Sequence, residues 1–498
     1  MGSKIDRREF LKQSSLSMGA AAASSRLAAG SVPEVDLKTV AEIDRASIRK
    51  FTSLLQGQAL LPGDDGYESA CRNWTGRVTK RPGLVVRCAG TEDVAGAVKF
   101  ARDHGLLLAV RGGGHTGNST CDGGLLINLS ALKDLHVDPA RRVVRAQAGL
   151  LAGELDRATC ASGLATVMGE CPSVGISGMG LGGGLGRLMG QYGALCDNLL
   201  WAEVVTADGS VLQASARENS DLFWAIRGGG GNFGVVTSFD YRLHPVDQVL
   251  SGMLHYPVTQ AGAVLRFFRE WMLEAPDELD ALVEIGSGIL QYAPESQEPT
   301  VVINVCCSGD PDFAGEALRP LRAFGTPTAD TIRPMPYLEA QDLGDVTPLR
   351  RHLTSSYLAF SERGFLTGLA DDAIEAIAAH CENPPSTSWA VALDHFLHGA
   401  VCRVGESETA FSLRQNGCSV RITSFEEGTA GAERSMAWAQ SLHEALQPFS
   451  DGRIYVNYLL DQSKSGVRAA FGGNYSRLLE LKAKYDSDNF FRLNANIR

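Results

Sequence analysis

Residues 111–117 read RGGGHTG, and residues 169–186 read GECPSVGISGMGLGGGLG. Both stretches are mostly glycine, yet each holds one side chain able to attack an electron-poor carbon, His115 in the first and Cys171 in the second. Bare backbone can approach a phosphate without side-chain interference, and such nests bind anions even where lysine is absent. A third cluster, GGGGNFG, occupies 228–234. One cluster is explained by a tight turn; three together suit a dinucleotide. Gly178, Gly180 and Gly183 also fit GxGxxG, but that fingerprint requires a strand immediately before it. Here Cys171-Pro172-Ser173 and further glycine precede it, so the Rossmann reading is rejected.

Outward from the first loop, RPGLVVRC (81–88), TEDVAGAVKFARDHG (91–105) and LLLAVRGGG (106–114) read as strand, helix and strand, with Glu92 and Asp93 in the helix's first turn. Strands are expected at 123–130, 141–149 and 201–210, and a helix at 150–163 that stops on glycine. After His244-Pro245 the character changes. VVINVCCSG (301–309) and WAVALDHFLHGAV (389–401) read as strands, and DDAIEAIAAHCE (371–382) as an amphipathic helix. The expected organisation is a first domain at 50–245, a second at 246–450, and a C-terminal segment at 451–498.

The chain has 498 residues, 44% hydrophobic and 21% charged, enough apolar material for more than one core. Its net charge of -11, without a basic run, argues against nucleic acid or a membrane surface as partner. The eleven cysteines are scattered rather than spaced in CxxC pairs, so neither a metal site nor a full disulfide framework is indicated. Within residues 1–30, Arg7-Arg8 precede Phe10-Leu11-Lys12 and an alanine-rich run, which resembles a twin-arginine signal. That implies export of a folded, cofactor-loaded protein by the twin-arginine machinery to the periplasm or beyond.

RGGGHTG and GECPSVGISGMGLGGGLG, together with YGALCDNL (192–199), GGGGNFGVV (228–236), YVNY (455–458) and KYDSDNFFRLNANI (484–497), resemble the berberine bridge enzyme-like oxidases of the vanillyl-alcohol oxidase, or PCMH-type, flavoprotein superfamily. The resemblance runs from about residue 70 to the end. It implies an α+β fold, with a PCMH-type FAD-binding domain of two α/β subdomains and a substrate domain whose antiparallel sheet is flanked by helices. It also implies FAD joined to the chain through His115, at the 8α carbon, and Cys171, at C6. Cofactor contacts fall on Arg111, Gly112, Gly113, Gly114, Thr116, Gly117, Val174, Gly175, Gly178, Gly182, Gly183, Gly186, Asn232, Gly234, Val236, Asn457, Asn489 and Phe491. Valine at 174, three residues after the linking cysteine, accompanies use of O2 with release of H2O2.

The resemblance places the catalytic base in YVNY, at Tyr458 in preference to Tyr455. If that stretch is a strand, Tyr455 and Asn457 share one face and Tyr458 takes the other. A phenol of ordinary pKa about 10 is a poor base, so a cation or donor must favour its phenolate. Alternation through 389–401 sets Asp394 and His398 on one face and His395 on the other; His352, Tyr357 and Arg414 lie on loops that could reach a ligand. The expected reaction is hydride abstraction from a substrate C–H to flavin N5, on an alcohol or (oligo)saccharide. The alternatives are an oxidase of secondary metabolites such as alkaloids, polyketides or terpenoids, and a redox-storage protein, against which the tyrosine motif counts.

Overall fold

A computed structural model describes residues 37–498 except 75, 289, 292–297, 346–356, 428–430 and 460–461, with backbone only at 357–361 and 427. The twin-arginine stretch, His352 and the Tyr357 side chain lie outside the described residues. The first sheet contains β1 (Gln58–Leu60), β2 (Leu84–Arg87), β3 (Leu108–Arg111) and β4 (Leu125–Asn128) in the order β1-β2-β4-β3. β2, β4 and β3 run parallel, and β1 pairs antiparallel with β2. LVVR and LLIN are buried nearly throughout, as strands covered on both faces must be. The crossover helix Thr91–Asp103 carries Asp93 in its first turn, whose carboxylate accepts from the N–H groups of Gln56, Gly57 and Ala89. One buried acid therefore ties the helix start to both strands at one end of the β1–β2 pair.

The second sheet is antiparallel throughout. It comprises β5 (Leu135–Asp138), β6 (Val143–Gln147), β8 (Leu199–Val205), β9 (Val211–Ser215) and β10 (Val235–Arg242), ordered β5-β6-β10-β8-β9. β7 (Leu164–Ala165) pairs with β11 (His244–Pro245).

The third sheet holds β12 (Gln248–Pro257), β13 (Leu279–Ser287), β14 (Thr300–Ser308), β17 (Tyr357–Leu366), β18 (Trp389–Leu397) and β19 (Gly417–Glu427), with the short β15 (Ala329–Asp330) and β16 (Arg333–Pro336) beside β12. Its order is β15-β12-β14-β13-β18-β19-β17. Alternation gives it two unlike faces. Val283, Ile303, Val391 and Ile422 pack under helices Ala261–Leu273, Asp371–Glu382 and Ala432–Leu446. The helix expected at 371–382 has those bounds and buries Ala373, Ile374, Ile377 and Cys381 on one stripe. The opposite face carries Asp280, Glu284, Asn304, Asp394 and Arg421, and β13 is buried along its whole length, charges included.

The chain's end returns to the first two sheets. Helix Tyr475–Tyr485 presents Lys482, whose buried ammonium donates to the carbonyls of Asn232 (2.9 Å) and Phe491 (2.8 Å) and to Asp486 (2.6 Å). No disulfide joins any of the eleven cysteines. Among the described residues no helix is long and apolar enough to cross a membrane. Lys482→Met keeps the stem but strands Asp486 as a buried charge, so it is expected to lower stability by about 3–5 kcal/mol in urea unfolding; a change under about 1 kcal/mol would show that the ammonium is not the clasp.

Candidate functional site

β3 ends at Arg111, whose buried guanidinium donates to the carbonyls of Ala70 (2.6 Å), Arg72 (3.1 Å) and Ser119 (3.2 Å). Arg111 thus folds the first loop back on the sheet rather than reaching outward. Beyond it Gly113 meets Gly175 of the second loop so closely that a Cβ on either would lie 2.3 Å from the other's backbone nitrogen. Only glycine at both positions permits that crossing. Gly112 lies on Ser177 and Gly114 accepts from the Trp74 N–H (3.4 Å), while Thr116 and Gly117 are exposed.

The crossing sets the two reactive side chains around one residue. His115 Nε2 is 3.0 Å from the Ser173 carbonyl oxygen and 3.2 Å from its Oγ, and that Oγ is 3.2 Å from Cys171 Sγ. The His115 ring is stacked on Trp74, centroids 4.4 Å apart and planes within 6°. The turn is held by the Val174 N–H donating to the Cys171 carbonyl and by the Ala152 N–H donating to the Val174 carbonyl. After Gly175 the chain enters the short helix Ile176–Leu181, where Gly178 is exposed; Gly182, Gly183 and Gly186 follow, buried. No strand directly precedes Gly178, in keeping with the rejection of a Rossmann turn.

YVNY is not a strand. Val456–Tyr458 is a 3-10 turn, and residues three apart in such a turn share a face. Tyr455 and Tyr458 accordingly lie together, ring centroids 5.2 Å apart, instead of on opposite sides. The Tyr455 hydroxyl accepts from the Gly184 N–H (3.1 Å) and from Asn457 Nδ2 (2.8 Å), and burial pushes its pKa up to about 12. It braces the second glycine loop. Asn457 also donates to the Met179 carbonyl, and a Cβ on Gly182 would meet its Oδ1 at 2.1 Å.

Tyr458 has different company. Its hydroxyl is 3.0 Å from His395 Nε2 and 3.5 Å from Asp394 Oδ2, and the Arg363 guanidinium lies 4.7 Å from its ring centroid. Burial raises the phenol well above its ordinary range and Asp394 adds to this, while Arg421 and Arg363 pull it down. Asp394 and His395 were expected on opposite faces. The ladder between β18 and β19 slips between Asp394 and Leu397, and His395 takes a left-handed φ of 51°, a bulge that turns both side chains to Tyr458. His398 instead meets the Leu279 carbonyl, and Arg414 is buried against Asp197 and Thr409.

Arg363, Arg421 and Glu284 were not singled out from sequence; they sit on strands whose register is set by distant partners. Arg421 stands 3.6 Å from Asp394 and 3.9 Å from Glu284. Nearer the Cys171 loop, the fully buried Arg187 donates to Asn304 (2.8 Å) and lies 3.7 Å from Asp280, whose carboxyl is pushed up by burial and by Glu170. Ser173 and Trp74 were missed as well.

The remaining sequence candidates hold the chain's end. Asn232 donates to the Gly229 and Ala495 carbonyls and accepts from the Ile497 N–H. Gly234 packs on Val204 and Val205, Val236 is buried in β10, and Phe491 is clasped by Lys482 and Asp486. Asn489, at φ 51°, has a buried carboxamide oxygen without a protein partner, as do Asn494 and Asn496. Buried acceptors of this kind are ordinarily satisfied, by ligand or water if not by protein.

Residues 82–215 match the FAD binding domain family, and residues 454–498 the Berberine and berberine like family. An FAD-linked oxidoreductase of Dictyostelium discoideum is 30% identical over 457 residues, 91% of this chain and 96% of its own length. The (R)-6-hydroxynicotine oxidase of Paenarthrobacter nicotinovorans is 31% identical over 459 residues, 89% of this chain and 97% of its own. The chain belongs to the berberine bridge enzyme-like FAD-linked oxidoreductases. The crystal structure of 6-hydroxy-D-nicotine oxidase from Arthrobacter nicotinovorans superposes with a TM-score of 0.78 at 30% identity, covering 89% of this chain and 98% of that one. The bare crossing of the two loops and the three unpartnered carboxamide oxygens fit the FAD of this family.

Gly113→Ala is expected to push the loops of this oxidoreductase apart at a cost of about 1–3 kcal/mol and to lower its flavin content, read as visible relative to protein absorbance. Gly315→Ala, on the helix Pro311–Ala323 away from both loops, where a Cβ meets nothing within 4 Å, is expected to leave it unchanged. Equal flavin content in both variants would refute the role of the crossing.

Proposed function

We propose that this oxidoreductase is an exported oxidase of an alcohol, in the first instance a sugar or oligosaccharide, with FAD held through both His115 and Cys171 and with O2 as acceptor. The observation that carries the reaction is the Tyr458 hydroxyl, 3.0 Å from His395 Nε2 under the Arg363 guanidinium, on the polar face of the third sheet. FAD, when bound, supplies the acceptor of the two electrons leaving the substrate C–H. Tyr458 first gives up its own proton through His395 and then, as phenolate, takes the proton of the substrate hydroxyl. Arg363 and Arg421 favour the phenolate that this exchange develops.

Arg421 faces both Asp394 and Glu284, and Arg363 adds a further cation. Such a face suits a neutral, hydroxyl-rich molecule better than a cationic amine. The roughly one-third identity to a 6-hydroxynicotine oxidase favours a second reading, oxidation of a nitrogen heterocycle of the secondary-metabolite kind. Val174, beside Cys171, supports reoxidation by O2 with release of H2O2. Export rests on Arg7-Arg8 and the alanine-rich run after them.

A peroxide-coupled screen of sugars against cyclic amines and aromatic alcohols separates the two readings; sugars without turnover and amines with it would reverse their order. Tyr458→Phe is expected to keep its flavin and lose about 10²- to 10⁴-fold in turnover. Because burial holds the phenol above its ordinary range, the phenolate fraction grows only as pH rises, so kcat/KM should climb from neutral into alkaline pH. Arg363→Met removes a cation that lowers that pKa and should displace the climb further into alkali. A pH profile identical in wild type and Arg363→Met would exclude the phenolate role.

The linkage has its own measurement. Wild type should stay yellow after acid precipitation, the single variants His115→Ala and Cys171→Ala should each retain one bond, and the double variant should release its FAD. Flavin retained covalently by the double variant would overturn the assignment.

A further inference from the structure

We propose that Ser173 is a positioning residue for attachment of the cofactor, its hydroxyl passing the Cys171 thiol proton to His115 and so preparing the sulfur to form its bond. The inference rests on the reading that both side chains become joined to FAD. Thiolate, not thiol, is the nucleophile, and a cysteine of ordinary pKa about 8.5 is mostly protonated at neutral pH. Ser173 Oγ stands 3.2 Å from Cys171 Sγ and 3.2 Å from His115 Nε2, so, with FAD joined through Nδ1 and Nε2 left as the ring's lone-pair nitrogen, one hydroxyl touches the donor and the acceptor of that proton. The Ser173 carbonyl, 3.0 Å from the same nitrogen, receives the N–H once the imidazole is loaded. Trp74, nearly parallel to the imidazole, fixes the plane in which both contacts are made.

Charged groups lie on the neighbouring segments. Glu170 precedes Cys171 and acts on Asp280, which Arg187 opposes, and Arg157 lies behind Pro172 on the helix Ala152–Cys160. In the step itself the S–H bond breaks and a bond from sulfur to a ring carbon forms. The thiol proton goes to Nε2 and then to solvent, the ring carbon gives up its hydrogen as a second proton, and the ring gains two electrons. Dioxygen takes two electrons and two protons and leaves as hydrogen peroxide.

The test follows bond formation, not turnover. Full-length protein produced with ample flavin is purified, held in air at several pH values, and sampled over time, and the peptides containing His115 and Cys171 are weighed by mass spectrometry. Wild type is expected to yield the two peptides joined through one FAD. In Ser173→Ala, FAD should sit on His115 while bond formation at Cys171 is about 100-fold slower and accelerates with pH, as solvent takes over proton removal. Ser173→Thr, which keeps a hydroxyl, should restore the wild-type rate, and Ser173→Gly replaces the alanine variant if that does not fold. Joining of Cys171 at the wild-type rate at every pH in the hydroxyl-free variant would overturn the role of Ser173 and leave the two-link reading standing. An unmodified Cys171 in wild type would end the two-link reading, and this inference with it.

Discussion

The approach of Gly113 to Gly175 governs the geometry of the site. The two loops come from different places, one at the end of β3 in the parallel sheet and the other ahead of the short helix Ile176–Leu181. Their backbones meet where even one methyl group on either would clash at 2.3 Å. A contact between bare backbones has no rotamers, so it transmits position more rigidly than a side-chain contact does. His115 lies two residues beyond one glycine and Ser173 two residues before the other, and their contacts of 3.0 and 3.2 Å follow from the crossing. Arg111 pins the first loop from behind through three backbone carbonyls, which keeps the crossing from being a hinge.

The opposite wall depends on a different device. An antiparallel sheet with helices on one side presents alternate residues to the other, and here that side carries acids and arginines that would be costly to bury singly. They are buried in opposition. Arg421 stands between Asp394 and Glu284, and Arg187 joins Asn304 and approaches Asp280. Removing one member would leave its partner a lone charge in a poor solvent, which makes the polar face a cooperative unit. A regular strand would send Asp394 and His395 to opposite sides. The bulge at that point costs a ladder contact and a strained φ, and in return both side chains reach Tyr458.

Much of this was legible in sequence where local rules suffice. The glycine runs announced backbone approach, the apolar stripe of 371–382 announced a helix, and VVINVCCSG announced a buried strand. Alternation failed at 389–397 because a bulge is decided by pairing with β19, which no stretch of a single strand records. It failed again at YVNY, whose residues are compatible with a strand but which tertiary hydrogen bonds to Gly184 and Met179 hold as a 3-10 turn. Arg363 and Arg421 read as ordinary charged positions until their register partners place them opposite one another. Trp74 gave no signal, since its stacking on His115 joins two loops far apart in the chain.

The C-terminal return couples the two walls. Tyr455 and Asn457 hold the glycine loop through Gly184, Met179 and the tight seat at Gly182, while Tyr458, one turn along, meets His395 and Asp394 of the third sheet. A single short turn therefore fixes the distance between the loop beside Cys171 and the Tyr458 phenol on the third sheet's polar face. The turn itself is anchored downstream by Lys482 and Asn232, which fasten the last residues to the third glycine cluster. All three glycine clusters and the tyrosine motif then form one mechanical assembly. A tyrosine on an independent loop would have to be ordered at each turnover, whereas here its order is established when the chain folds.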